Sequence, residues 1–248
     1  MGTTTRTVTI ITAMSMTEGI SAAGVYRLAV WLSPAFPVGA YTYSSGIEHA
    51  VESGFVADAA SLFDWVAATL RVGQGRVDAD FFRDAYAAMR DSDADAIAEV
   101  AALADAMRGT AELALESAAQ GDAFLAAARA AWPEPRLDEF AALIAKLGRK
   151  PAYAVAVGVT AAAHGVPLRE ALTAFLHAVA ANLVSAGLRL IPLGQTDGQR
   201  VTARLEPAVV AAAEAAMRRS AQDLGAATPM ADWMSMQHET QYTRLFRS

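Results

Sequence analysis

The chain has 248 residues, 54% of them hydrophobic, enough for one large domain or two small ones around a substantial core. It contains no cysteine, which excludes disulfides, thiolate metal ligands and a cysteine nucleophile. A net charge of -6 and a pI near 5.2 argue against a nucleic-acid binder, which normally carries a basic face, so a soluble cytoplasmic protein is expected.

The stretch Thr3 to Met16 holds one arginine and the short apolar run Val8-Thr9-Ile10-Ile11. It has neither the cationic region nor the apolar length of a signal peptide. Residues 1–24 are therefore read as a disordered extension or a misassigned start, since Met14 and Met16 could each initiate the chain.

A helix over Tyr26 to Leu32 is expected to stop at the motif Ser33-Pro34-Ala35-Phe36-Pro37-Val38-Gly39-Ala40-Tyr41-Thr42-Tyr43-Ser44-Ser45-Gly46-Ile47-Glu48. Its Ser-Pro and Phe-Pro steps impose extended backbone, and Gly39 allows a turn. Thr42 or Ser44 can cap the next helix, whose Tyr43, Ile47 and Val51 form an apolar side. The motif reads equally as a rigid elbow with buried aromatics and as a shaped surface for a partner. Tyr43 is expected in the core, and the elbow around Phe36 at an interface. Glu48 and Glu52 share a helix face and read as a solvated acidic edge.

Helical patterns then dominate. Asp58 caps a helix carrying Leu62, Trp65, Val66, Thr69 and Leu70, ended by Gly73 and Gly75. Further helices are predicted over about 77–90, 93–107, 110–131, 137–147, 151–163, 167–191 and 206–219, with Pro151 and Pro167 in first-turn positions. Strand-like alternation is hard to find, and the abundant alanine favours closely packed helices. Trp132-Pro133-Glu134-Pro135 marks either a domain boundary or, as the unchanged flanking composition favours, a loop within one bundle.

Ala171 to Leu188 has no charged residue and approaches membrane-spanning length. Leu172, Phe175, Leu176, Val179, Leu183, Ala186, Gly187 and Leu190 nevertheless form one stripe, the pattern of a buried bundle helix. No membrane span is expected. Asn182, Ser185 and Arg189 share a flank of that stripe. At the helix end, before Ile191-Pro192-Leu193-Gly194-Gln195, Arg189 either complements the helix dipole or is presented to an anionic partner.

From about Ser220 the chain turns polar, and Thr228-Pro229 begins a short amphipathic helix with Met230, Trp233 and Met234 on its apolar side. The closing segment His238-Glu239-Thr240-Gln241-Tyr242-Thr243-Arg244-Leu245-Phe246-Arg247-Ser248 pairs aromatics with arginines, types enriched at binding hot spots. Such a tail docks on its own domain or folds onto another protein.

No catalytic or metal-binding constellation is visible. The segment Gly148-Arg149-Lys150-Pro151 is not a phosphate loop, and Ser44-Ser45-Gly46 is not a nucleophile elbow. The four histidines, His49, His164, His177 and His238, are scattered, without a second ligand at helical metal-site spacing.

Three ordered motifs, Ser33 to Glu48, Ala186 to Gln195 followed by Gly198-Gln199, and His238 to Ser248, resemble the urease accessory protein F family, whose members help insert nickel into urease. The resemblance runs from about Val25 to the end, although from Arg83 to Lys146 it extends only to helical character. Phe36 and Ala40 stand where leucine and glycine are common in the family. The resemblance implies an all-α fold, here a single compact bundle of about ten helices over 25–219 with a docking tail over 220–248, and a homodimer. It also implies a bridge between a D-type urease accessory protein, which contacts apo-urease, and a G-type GTPase that carries nickel, with a role in controlling GTP hydrolysis. Nickel and GTP would be handled by those partners, leaving no intrinsic cofactor.

Partner contacts are then expected at Pro34, Phe36, Pro37, Gly39 and Glu48 in the first motif. In the second they fall on Asn182, Ser185, Arg189 and Gln195, near the GTPase-facing surface. Trp233, Tyr242, Arg244, Leu245, Phe246 and Arg247 are expected to dock into the D-type partner, so deleting Tyr242 to Ser248 should spare the fold and abolish association. Two other readings stand beside this one. One is an all-helical enzyme with an interhelical site using Glu48, His49 and His177; the other is direct nickel binding through His49 or His238 across a dimer interface.

Overall fold

The computed structural model describes residues 19–248, so the reading of residues 1–18 lies outside it. The remainder is all-α. Among the described residues there are eleven α-helices, two short 3-10 turns and no strand. The expectation of an all-α bundle of about ten helices holds. In chain order the helices are α1 (Ala22–Trp31), α2 (Ile47–Glu52), α3 (Ala59–Val72), α4 (Gln74–Arg90), α5 (Ala94–Ala106) and α6 (Ala111–Ala131). They continue with α7 (Pro135–Lys146), α8 (Tyr153–Ala163), α9 (Leu168–Leu190), α10 (Gln195–Arg218) and α11 (Pro229–His238).

Local chemistry sets most of these boundaries. Asp58 caps α3 through the amides of Ala60 and Ser61, with Ser61 returning the bond in a capping box. Asp93, Thr110 and Ser21 cap α5, α6 and α1 with their side-chain oxygens. Pro135 and Pro229 occupy the first turns of α7 and α11, where the missing N–H has no helical partner to lose.

Several boundaries differ from expectation: neither Thr42 nor Ser44 caps α2, which follows Gly46, and Pro167 stands just before α9 instead of in its first turn. Gly75 does not end a helix but lies in the first turn of α4, and only Gly73 separates it from α3. A Cβ at Gly75 would sit 3.0 Å from the Thr69 carbonyl, so the glycine serves the tight junction of the two helices. Pro151 precedes α8 by two residues instead of opening it. The last long helix starts at Gln195, well before Glu206, because Pro207 lies within it and does not mark its beginning.

The middle of the bundle is α8, whose residues Ala154 to Ala163 are all buried. A helix apolar on every side belongs inside a bundle. It is surrounded by α4, α6 and α9, with α5 and α7 against its remaining sides. At Gly158 the backbones of α8 and α4 nearly touch: an added Cβ would lie 2.5 Å from the Phe82 carbonyl. Helix α9 is long and apolar enough to cross a membrane by length and composition. Here it packs against α10, α2, α3, α4 and α8 and buries Leu172, Phe175, Leu176, Leu183 and Ala186.

One buried apolar cluster includes residues from both sides of Trp132-Pro133-Glu134-Pro135. Trp132 itself meets the buried Trp31 edge-on at 5.8 Å between centroids.

Candidate functional site

The first motif, the C-terminal segment and the end of α9 converge on one face of the bundle. The convergence begins at the turn Ser44-Ser45-Gly46, where Ser45 (φ 51°) and Gly46 (φ 82°) both take left-handed backbone. Gly46 is required twice there. Its φ favours glycine, and a Cβ would lie 2.9 Å from the Ser235 amide nitrogen of α11. The turn therefore lets α11 lie directly on α2, and it aims the first turn of α2 inward.

Glu48 occupies that first turn and is only 6% exposed. One carboxylate oxygen accepts the Leu245 N–H at 2.6 Å. The other accepts the Phe246 N–H at 2.9 Å and faces His238 Nε2 at 2.9 Å. His238 is fully buried, and its Nδ1 lies 2.7 Å from Glu112 Oε2 on α6. The other Glu112 oxygen accepts from Arg244 Nη1 at 2.9 Å. Each ring nitrogen of His238 thus faces a carboxyl oxygen, Glu48 on one side and Glu112 on the other, and Arg244 closes the chain of contacts at Glu112.

This overturns the expectation of a solvated acidic edge at Glu48. The carboxylate is a cradle for the backbone of Leu245 and Phe246, so it is not available to a partner. Nor is Phe36 at an exposed elbow: it is 7% exposed, with its ring 5.1 Å from that of Phe124. Phe246, expected to enter a partner, is 4% exposed and packs on its own domain. In each case the bundle supplies the apolar surface that a partner would otherwise have provided. Tyr43, expected in the core, is 4% exposed.

Below the cradle, Ser44 donates through both its N–H and its hydroxyl to the Ser248 carbonyl, and the Arg247 N–H donates to the Thr42 carbonyl at 2.8 Å. The Ser248 hydroxyl donates to Glu116 at 2.8 Å, as do the Ser45 hydroxyl at 3.1 Å and Gln120 Nε2 at 3.0 Å. Burial outweighs these donors and pushes the Glu116 carboxyl up to about 7 from its ordinary 4.5. Between those values the folded protein keeps a proton that the unfolded chain has lost, so Glu116 makes stability fall as pH rises through this window. Glu116→Gln should flatten that part of the profile, as chemical denaturation of both proteins at pH 5 and pH 8 would show.

Arg189 ties the second motif to the other two. Its guanidinium lies between the rings of Tyr41 (3.7 Å to the centroid) and Phe246 (4.1 Å). Its Nη1 donates to the Tyr41 carbonyl at 2.7 Å and its Nε to the Ser185 carbonyl at 3.3 Å. The charge is thus covered by its own chain and not held out to an anion. Arg189→Lys should lower the melting temperature nearly as much as Arg189→Ala, because an ammonium lacks the flat face that fills this sandwich. Full stability in the lysine variant would show that charge alone matters.

The remaining expected residues divide by exposure. Asn182 is half-buried and donates to the Tyr43 carbonyl at 3.4 Å, and Ser185 is half-buried beside it. Pro34, Pro37, Gly39 and Gln195 are exposed, with Gly39 at φ 73°. On the tail side Trp233 (55%), Tyr242 (103%) and Leu245 (64%) stand in solvent, together with Met230 and Met236, and Arg244 and Arg247 are exposed too. Docking the tail thus buries Phe246 and leaves several large apolar side chains outward.

Glu48, His49 and His177 do not form a shared interhelical site. Glu48 is taken up as described, His49 faces Gln241 at 3.1 Å, and His177 borders a cavity that neither of the other two lines. Among the described residues no group of histidine, aspartate and glutamate is arranged to hold a metal ion. Glu112, Glu116 and the pairing of His238 were not foreseen. The signal available was the i, i+4 pair of carboxylates following the Thr110 cap on α6.

Comparison with known proteins bears on this arrangement. The UreF family model matches residues 56–206. The urease accessory protein UreF of Rhodopseudomonas palustris strain HaA2 is 55% identical over 226 residues, covering 91% of this chain and 94% of its own length. That of strain BisB18 is 56% identical over 227 residues, covering 92% and 93%. The UreF of Bradyrhizobium diazoefficiens is 53% identical over 227 residues, again covering 92% and 93%. With a family match over more than half its length and relatives this similar across nearly all of it, the chain belongs to the UreF family of urease accessory proteins.

Proposed function

We propose that this protein is a urease maturation factor that bridges a D-type accessory protein and a G-type GTPase during GTP-dependent nickel insertion into apo-urease. It acts in the cytoplasm, as a homodimer, by binding and not by catalysis. Nickel is cargo and GTP is the partner's substrate. The observation that carries this reading is the outward patch of the docked tail. Tyr242 and Leu245 are exposed on a segment whose backbone is fixed by Glu48, Ser44 and Thr42. A large apolar patch on rigid backbone loses little conformational entropy when a partner covers it. The elbow of Pro34, Pro37 and Gly39 offers further exposed surface for a second partner.

The test is reconstitution. The purified chain, mixed with its cognate D-type and G-type proteins, should elute with both as one complex and support activation of apo-urease by nickel and GTP. Elution apart from the D-type protein, or activation that proceeds equally well without this chain, would refute the proposal.

A further inference from the structure

A cavity of about 280 Å³ opens between the first motif and α9, with Pro34, Tyr41 and His177 exposed at its edge. Its volume is close to the range of small-molecule sites. The walls are mainly apolar, among them Leu32, Val38, Leu113 and Leu183. Two polar groups on its lining have hydrogen-bonding capacity left over. The Arg108 side chain is 4% exposed; its Nε donates to the Ala104 carbonyl and its Nη1 pairs with Asp78 at 2.8 Å. Its Nη2 is buried without a partner. Tyr153 also lines the cavity, and its ring packs against Phe124 and Phe175. Its hydroxyl makes no hydrogen bond among the described residues, and burial raises its pKa, so it stays a phenol that can donate.

A buried guanidinium N–H without an acceptor is costly, so the unmet need on this wall is for an acceptor atom. It is not for a negative charge. Asp78 already balances Arg108, and the Glu116 carboxyl on the same lining is held toward its neutral form by burial, so an anionic head group would find no free cation there. A cationic head would leave both donors unmet.

From this geometry we infer that the cavity is a binding site for a small uncharged carbonyl compound, a primary amide with a short apolar tail. Its C=O accepts from Arg108 Nη2 and the Tyr153 hydroxyl, and its tail lies against the apolar walls. An N–H on the same head has the Asp78 carboxylate and the side-chain carbonyl oxygens of Glu116 and Gln120 on the lining as acceptors. The site is separate from the tail cradle and does not depend on the bridging role, although Glu116 belongs to the rims of both.

Hexanamide is the probe, with hexanoate as its charged counterpart of equal length, titrated into the full chain and followed by protein NMR shifts. Hexanamide should bind saturably, with hexanoate weaker by about tenfold or more. Tyr153→Phe, which removes only the hydroxyl, should weaken hexanamide several-fold without changing the melting temperature. Ala178→Trp, filling the cavity from a half-buried position on α9, should abolish binding. Equal affinity for the two probes, no saturable shift, or binding unchanged in Tyr153→Phe would overturn the assignment.

Discussion

Glu48→Gln should be among the most damaging conservative substitutions in this protein. The glutamine has the shape of glutamate but replaces one acceptor oxygen with a donor NH2. Both Glu48 oxygens receive donors: the Leu245 N–H on one, the Phe246 N–H and His238 Nε2 on the other. Whichever way the amide turns, a donor faces a donor in a buried site. His238 also keeps only one of its two carboxylates. Removing an acceptor from a buried group that holds several partners costs about 3–5 kcal/mol. In a protein of this size that corresponds to roughly 10 °C in melting temperature. The tail should loosen first, so limited proteolysis after Gln241 should accelerate before global unfolding. A Glu48→Gln protein that melts like wild type would show that the tail does not rest on this carboxylate. By the same reasoning, deleting Tyr242 to Ser248 is no longer expected to spare the fold, because it would leave Glu48 and Glu116 without the donors they receive from that segment.

Gly121→Ala should be comparably severe for a different reason. An added Cβ on α6 would stand 2.0 Å from the Pro151 carbonyl oxygen and 2.9 Å from the Ala152 carbonyl carbon. Both obstacles are backbone, so no rotamer change relieves them, and the chain before α8 must move away from α6. Overpacking of this kind costs about 3 kcal/mol or more. At Gly19 an added Cβ meets nothing within 4 Å, so Gly19→Ala serves as the control. The check is a denaturant melt of both variants. A wild-type midpoint for Gly121→Ala would mean that the contact between α6 and the segment before α8 is slack.

Much of the fold was legible because the helices announce themselves locally. Asp58, Asp93 and Thr110 each stand one residue before the helix they cap, and Gly73 and Pro229 sit at real boundaries. Pro207 misled in the other direction: a proline inside α10 resembles a start signal, and only the packing of α10 on α9 and α3 shows that the helix runs through it. The site was legible as segments but not as contacts. Each of the three motifs stood out by composition. That Glu48 and Glu112 share one histidine from α11 is a tertiary fact, with 190 residues between Glu48 and His238 and 126 between Glu112 and His238. The exposed reading of Phe36 failed likewise, since Phe124 and Trp132 cover it from elsewhere in the chain. Arg189 was recognised as important. Its stacking between Tyr41 and Phe246 could not be inferred from its place at a helix end, where dipole and partner explanations are equally natural.

The arrangement assigns two roles to one tail: a cradle that fixes its backbone and a patch that faces outward. Affinity for the cognate D-type accessory protein, measured alongside melting temperature in two variants, separates them. Tyr242→Ala/Leu245→Ala removes exposed side chains only and should weaken binding by tenfold or more, at least about 1.4 kcal/mol, with melting unchanged. Glu48→Gln should lower both binding and melting, because the patch loses the backbone that presents it. Wild-type affinity in the double alanine variant, or in a Glu48→Gln protein whose melting has dropped, would contradict a docked tail as the surface that meets the partner.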